Sequence, residues 1–179
     1  SRSAFGVQAD ISIRGGHYDQ TLILVDGVKV NDPQTGHHSL NIPVPFSMID
    51  RIEILQGGTS RVFGPSAFSG VINIITKKIS KNSLAANVGL GSNKKKNAGV
   101  STGFIFKKNT ASVSLEHMDS DGYMTNTAFK KQTISANLSR IYGKGSLDLN
   151  FGAMANAFGA SNFYHPKYIK QFEDISSNL

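Results

Sequence analysis

The 179 residues contain no cysteine and no tryptophan. Without thiols there is neither a disulfide framework nor a thiolate metal site. No apolar run approaches the ~20 residues of a membrane-spanning helix. Ser1-Arg2-Ser3 has no apolar stretch behind it and does not read as a signal peptide. The chain starts as though in mid-domain and stops at Ser176-Ser177-Asn178-Leu179 without a closing element, so it reads as a fragment. Acidic residues are also scarce, with 12 Asp and Glu against 19 Lys and Arg, a net charge of +7. Such a balance admits nucleic acid or an anionic surface as partner. The cations, however, fall in short turn-like groups: Lys77-Lys78, Lys94-Lys95-Lys96, Lys107-Lys108 and Lys130-Lys131. No aromatics interleave with them on one face, which argues against nucleic acid.

What is present is β-structure with many turns, including 18 glycines, in a chain long enough for one or two domains with a real core. Two halves use different patterns. Residues 1–78 read as α+β. ADISIRG (9–15) and QTLILVDGVKV (20–30) are strand runs, and Asp26-Gly27 is a tight-turn signal inside the second. Pro43 and Pro45, followed by Phe46-Ser47-Met48, predict a turn or a single helical turn. RIEIL (51–55) and VINIITK (71–77) are further strands, and a short helix is expected near Ser66–Ser69.

From residue 83 onward the chain alternates with period two. Leu84, Ala86, Val88 and Leu90 are one apolar set; Ala98, Val100, Thr102, Phe104 and Phe106 are another. Ala111, Val113 and Leu115 follow, then Ile134, Ala136 and Leu138, then Leu147, Leu149, Phe151, Ala153 and Ala155. Their neighbours are mostly Ser, Asn, Gly and Asp. Five such segments of roughly ten residues suit transmembrane β-strands. Tight turns at Lys107–Thr110 and Gly143–Gly145 alternate with long loops at Met118–Phe129 and Ala157–Tyr168, as in an outer-membrane meander. Phe106 and Tyr142 lie beside the short turns, where an aromatic girdle belongs. A soluble antiparallel sandwich alternates too. Its exposed face, though, would carry Lys and Glu rather than Ser, Asn and Gly. The expected faces are Leu84, Val88, Val100, Phe104, Leu138, Leu147 and Phe151 toward lipid, with Asn87, Glu116, Asn137 and Asp148 inside.

DISIRGG, TLILVDGVKVND and IDRIEILQGGTSRVFGPSAFSGVINIITKK together resemble the plug domain of TonB-dependent outer-membrane receptors. The matching motifs are Ile13-Arg14-Gly15, Val25-Asp26-Gly27-Val28, Ile52-Glu53, Phe63-Gly64, Ala67, and Gly70 through Thr76. Within that family the sequence looks nearest to cobalamin (vitamin B12) receptors, where Val88 through Asn93 is similar to the first barrel strand. The resemblance implies a plug over 1–78 and, over 79–179, the first strands of a twenty-two-stranded barrel in the bacterial outer membrane. It implies import of a scarce nutrient, cobalamin or a ferric siderophore, with the TonB protein as energising partner through a TonB box that precedes this chain. Outer-membrane lipid and a surface lipoprotein are its further implied partners. In place of the family's Arg-Gly-Pro turn stand Gln56 and Gly58, which puts a plug-to-barrel ion pair there in doubt. The other functional class is a non-transporting β-rich surface binding or adhesion protein, distinguished by whether the reading frame continues for many more barrel strands.

The candidate ligand contacts are Asn31, Asp32, Gln34, Thr35, His37 and His38 in NDPQTGHH, which the resemblance makes the apical plug loop. They offer donors and acceptors on a loop held by strands, although Asn-Asp-Pro is also ordinary turn chemistry. Arg14, Arg51, Glu53 and Arg61 stand among apolar strands and are expected to form a buried, paired network that fixes the plug. His17, Asp19, His37 and His38 lack the spacing of a metal site. Asp119-Ser120-Asp121-Gly122 is like part of a Ca²⁺ loop but lacks the closing Glu. No cofactor is therefore expected, with Ca²⁺ in the barrel loops the one exception that the resemblance allows. Glu53 has no second carboxylate or nucleophile for acid/base work, and Phe68-Ser69-Gly70 is not a nucleophile elbow. An enzyme is not expected.

Overall fold

The computed structural model describes residues 11–30, 41–161 and 172–177. These divide into two compact units, one formed by 11–30, 41–42 and 49–77 and the other by 43–48, 78–161 and 172–177.

The first unit is a mixed four-stranded sheet built from β1 (Thr21–Val25), β2 (Val28–Lys29), β3 (Ile49–Gln56) and β4 (Gly70–Thr76) in the order β2-β1-β4-β3. TLILV is buried at all five positions, which is what a continuous apolar run does when both faces of a strand are covered. β1 runs parallel to β4, from Thr21↔Gly70 to Val25↔Ile74. β3 flanks β4 on its other side, antiparallel. VINIITK is thus the interior strand that its β-branched composition predicts. Leu22, Leu24, Ala67 and Val71 make a buried cluster against which Phe63 packs. Asp26 and Gly27 connect β1 to β2 with φ of 49° and 82°, the two left-handed residues that a tight hairpin needs. Gly70 is equally constrained, because a Cβ there would lie 2.5 Å from the Leu55 carbonyl oxygen.

Two expectations are corrected here. Residues 11–15 of the expected strand 9–15 form a turn, and residues 9 and 10 lie outside the described residues. Arg14 and Gly15 have φ of 51° and 74°, and the Gly16 N–H donates to the Ile13 carbonyl at 3.0 Å. The Gly15-Gly16 pair lets the backbone close on itself rather than pair with a strand. The helix expected near Ser66–Ser69 comes earlier, as α1 (Ser60–Phe63) followed by a 3₁₀ turn at Pro65–Ala67. Gly64, at φ 93°, stops α1, and Pro65 opens the next turn where its missing N–H costs nothing. Phe46–Met48 is the expected single helical turn.

The second unit is an antiparallel meander of β5 (Ser83–Leu90), β6 (Lys96–Phe106), β7 (Asn109–Ser120), β8 (Phe129–Tyr142), β9 (Gly145–Ser161) and β10 (Phe172–Ser177), paired in chain order. All five expected segments are strands, but β7, β8 and β9 reach 12, 14 and 17 residues. The first long loop shrinks to 121–128, because Met118–Ser120 pair with Phe129–Lys131. The start of the second, 157–161, belongs to β9, and residues 162–168 lie outside the described residues. β10 was not expected, since FEDISS is too short and too polar to register as alternation. Phe106↔Asn109 and Tyr142↔Gly145 close two-residue turns at 107–108 and 143–144.

Register settles the faces. Ala86, Val100, Leu115, Ile134 and Ala153 lie opposite one another across five strands. By the same register Leu84, Val88, Phe104, Leu138, Leu147 and Phe151 share their face, and all are exposed. Asn87, Glu116, Asn137 and Asp148 share the opposite face, with buried Ser112, Ser114, Thr133, Ser135 and Asn156. An exposed apolar face backed by a polar one that is buried over much of β7 and β8 inverts the soluble sandwich. Among the described residues no helix is long and apolar enough to cross a membrane, which leaves crossing by strands untouched. Spin labels at Val100 and Leu138 of the intact protein in bilayers should be reached by dissolved oxygen, and labels at Glu116 and Asn137 by a water-soluble relaxation agent. Equal water access at all four would return the sandwich.

Candidate functional site

In the first unit a chain of polar contacts runs across the sheet from the β1–β2 turn. The Asp26 carboxylate accepts from the Thr76 N–H at 2.9 Å and from the Thr76 hydroxyl at 2.7 Å. The Gly27 N–H donates to Asn73 Oδ1 at 3.1 Å, and Asn73 Nδ2 donates to Glu53 Oε2 at 3.4 Å. Arg51 then gives Glu53 a bond from Nε and a contact from Nη2, each 2.8 Å, and Nη1 reaches Asp50 at 3.0 Å. The turn, the interior strand and β3 are thereby held by charge-assisted links. Hydrogen bonding to Glu53, then to Asp50, raises the Arg51 pKa further above its ordinary value.

Of the four charges expected to be buried and paired, Arg51 and Glu53 do pair, but at the surface, with side chains 58% and 40% exposed. Arg14 and Arg61 are exposed, and among the described residues neither meets a carboxylate. The buried network is therefore corrected to a surface pair. Arg14 rides a turn rather than a strand and Arg61 sits on one exposed helical turn, so neither is desolvated. Asn31, Asp32, Gln34, Thr35, His37 and His38 all lie outside the described residues. His17 Nδ1 meets Asp19 Oδ1 at 2.8 Å in the open, and among the described residues no three metal-ligating side chains converge. The Asp26–Thr76 and Gly27–Asn73 links were missed from sequence. Asn73, a lone amide inside a β-branched run, was their one signal.

At the long-loop end of the second unit, Lys94 Nζ lies 2.8 Å from Asp121 Oδ2. The Asn93 carbonyl accepts from the Asp121 N–H at 3.1 Å and the Ser120 hydroxyl at 3.0 Å. Lys94 thus ties the 91–95 turn to the 121–128 loop. The hydrogen bond from Lys94, more than its charge, lowers the Asp121 pKa, and the same contact raises that of Lys94. Asp119 is met by His117 Nε2 at 3.2 Å. Both carboxylates of the Ca²⁺-like tract are therefore engaged by side-chain nitrogens. At the opposite end Lys107 lies over Phe106, 5.4 Å from its ring centre, and Arg140 over Tyr142 at 4.7 Å. These are aromatics beside cations, as a membrane interface favours.

The family model of the TonB-dependent receptor plug domain matches residues 1–71. A vitamin B12 transporter, BtuB, of Vibrio vulnificus is 38% identical over 98 residues, covering 54% of this chain and 16% of the relative. BtuB of Vibrio cholerae is 34% identical over 120 residues, covering 66% and 20%. The chain belongs to the TonB-dependent receptors. The crystal structure of the siderophore receptor PirA from Pseudomonas aeruginosa superposes with a TM-score of 0.66 at 25% identity, over 88% of this chain and 30% of that one. The chain thus spans only about a fifth of the length of its curated relatives. As a TonB-dependent receptor it carries plug and barrel strands in the order the family does, and the bacterial outer membrane is its location.

Asp26→Ala in the full-length receptor strips two acceptors from Thr76, which is only 9% exposed. Local opening of β4, read by amide exchange, should become easier by roughly 1–3 kcal/mol. The Lys94–Asp121 tether should follow pH in one direction. Asp121 is depressed in the folded state, so its contribution is complete above the ordinary value of 3.8 and is lost as pH falls through the lower folded value. Amide exchange at Asp121 should therefore quicken, relative to the intrinsic rate, on acidification below about pH 4 and with added salt. Asp121→Asn should abolish that acid dependence.

Proposed function

We propose that the intact protein is an active importer of the outer membrane, which binds a scarce nutrient outside the cell and uses energy relayed by TonB to move the plug and admit it. Cobalamin is the leading cargo and a ferric siderophore the second. The observation that carries this reading is a plug-type sheet followed directly in one chain by a meander with an apolar outside and a polar inside. Energy is needed because the plug is a packed domain: its interior strand is paired on both sides and tied to the β1–β2 turn through Asp26. The sequence relatives at 34% and 38% identity carry vitamin B12 in their names, while PirA, at 25%, is a siderophore receptor. That ordering supports cobalamin. The adhesion reading has no observation in its favour.

Asn31, Asp32, Gln34, Thr35, His37 and His38 supply the amide, carboxylate, hydroxyl and imidazole groups that a polar ligand would meet. The test is uptake of labelled cobalamin and of ferric siderophores by cells expressing the full-length receptor, with and without TonB. TonB-dependent accumulation of cobalamin alone is the expected result; accumulation of neither, with the receptor present in the outer membrane, overturns the importer. Replacing Asn31, Gln34 and His37 together by Ala should weaken binding of the transported ligand by roughly 1–3 kcal/mol without loss of folded receptor. Unchanged affinity would remove this tract from the binding site.

A further inference from the structure

One piece of the plug sequence does not group with the plug sheet. Pro43–Met48 lies in the chain between β2 and β3, yet it belongs to the unit of the barrel strands, whereas Ile42 before it and Ile49 after it belong to the unit of the sheet. Gly152 of β9 marks where it sits. A Cβ at Gly152 would lie 2.6 Å from the Pro43 carbonyl oxygen and 2.9 and 3.0 Å from two carbons of the Pro43 side chain. No side chain approaches a packed backbone that closely, so only glycine admits Pro43 here. Gly152 stands opposite Ser135, Ser135 opposite Ser114, and Ser114 opposite Ser101, one row of small residues on the inner face. The far end of the segment, the 3₁₀ turn Phe46–Met48, lies against β6, the strand that carries Ser101. From β9 to β6 is roughly 14 Å at the usual strand spacing, a span that the chain from Pro43 to Met48 can reach. Between those ends Ser114 and Ser135 are buried, and on the segment itself so are Pro45 and Met48. The Met48 N–H donates to the Pro45 carbonyl at 2.9 Å and closes the turn. Directly afterwards the pairing of β3 with β4 slips between Ile49 and Arg51, the kind of irregularity at which a strand bends.

We propose that Pro43–Met48 is a strap held by the barrel wall, which keeps its place when the plug sheet moves, with the irregular pairing at Ile49–Arg51 as the joint between them. The physical ground is the difference between the two attachments. Pro43 is seated in a gap that a single methyl group would fill, and contacts packed to that density do not stretch gradually. Pro43 and Pro45 also fix φ on the strap, so little conformational freedom is gained by detaching it. At the joint, by contrast, the ladder is already interrupted, and a change of φ and ψ there breaks the fewest bonds. A displacement of the sheet is therefore taken up at Ile49–Arg51, and the row Ser101, Ser114, Ser135 and Gly152 stays covered. That the sheet moves rests on the importer reading; that the wall holds the strap does not.

The first test is amide exchange in the full-length receptor, read at Phe46, Ser47 and Met48 on the strap and at Ile23 and Ile72 in the plug sheet. Gly152→Ala forces a Cβ into the seat and should quicken exchange on the strap roughly tenfold, the scale of overpacking a filled site, with Ile23 and Ile72 unchanged. Gly99→Ala is the control on the same inner face. An added Cβ there would meet the Asn87 side chain instead, and the strap should not respond. Asp26→Ala, which loosens β4, should leave the strap's exchange as it is. Heat-modifiable gel mobility verifies that each variant is a folded barrel, and Pro43→Ala, which empties the seat from the other side, replaces Gly152→Ala should that one fail to assemble. Strap exchange that ignores the change at the seat, or that rises with Asp26→Ala, would overturn the proposal. The second test ties the strap to the wall with Pro43→Cys and Gly152→Cys in a receptor without other cysteines. The Cβ positions are 2.9 Å apart, so a small shift gives disulfide spacing. The oxidised receptor should take up labelled cobalamin as fast as the reduced one. Failure of the pair to cross-link, or uptake lost on oxidation and restored by reduction, would overturn the strap and leave the importer standing. Absence of uptake in both forms and in wild type would strike the importer reading, and amide exchange would then decide the strap.

Discussion

The grip of Asp26 on Thr76 joins the C-terminal ends of the plug sheet's two central strands. β1 and β4 are parallel neighbours separated by about fifty residues of chain, and a parallel pair has no hairpin to hold it in register. Asp26 sits in the turn that ends β1, and Thr76 is the last residue of β4, so one carboxylate fixes both strand ends. Gly27 on Asn73, and Asn73 on Glu53, extend the hold to β3. These bonds accompany a buried cluster of Leu22, Leu24, Ala67 and Val71, with Ile23, Val25, Ile72 and Ile74 also buried. The core makes the sheet compact; the polar chain sets which residues face one another.

The barrel strands obey a different constraint. Lipid offers no partner to a backbone N–H or carbonyl, so the strands must pair with one another along their length. Side chains then alternate strictly, and a slip of one residue would exchange the two faces. The tight turns at 107–108 and 143–144 pin that register. Small polar residues predominate on the inner face, whereas Leu, Val and Phe stand on the outer one. His117 and Gln132 depart from that rule side by side, opposite each other in register.

Much of this was legible in the residues, for physical reasons that differ by region. β1 and β4 were readable because an unbroken β-branched run has few alternatives to a buried strand, and Asp26-Gly27 because only a tight hairpin asks for two left-handed residues in succession. Alternation over 83–155 was readable because the period of two is a property of the extended backbone itself. Arg14 and Arg61 were misread because charges among apolar residues imply burial only if the segment is a strand or a covered helix. Residues 11–15 form a turn and α1 is one exposed turn, so both guanidiniums stay in water. Strand lengths were underestimated at polar ends such as Met118–Ser120, where pairing to Phe129–Lys131 continues after the apolar pattern has faded.

By itself the sequence determined the family, the plug-then-barrel order and, for the five alternating segments between 83 and 155, which side chains take the inner and which the outer face. Each of these depends on local pattern: motif residues in order, turn chemistry, and a two-residue period that the backbone imposes wherever it is extended. Tertiary structure alone decided which strands are neighbours and in what register. It therefore decided that Asp26 reaches Thr76, that Asn73 bridges Gly27 to Glu53, and that Lys96, Asp119 and Lys130 form one row. Those contacts join residues that no local pattern relates, because a cross-strand partner is chosen by the pairing of whole strands and not by any residue's own neighbours in the chain.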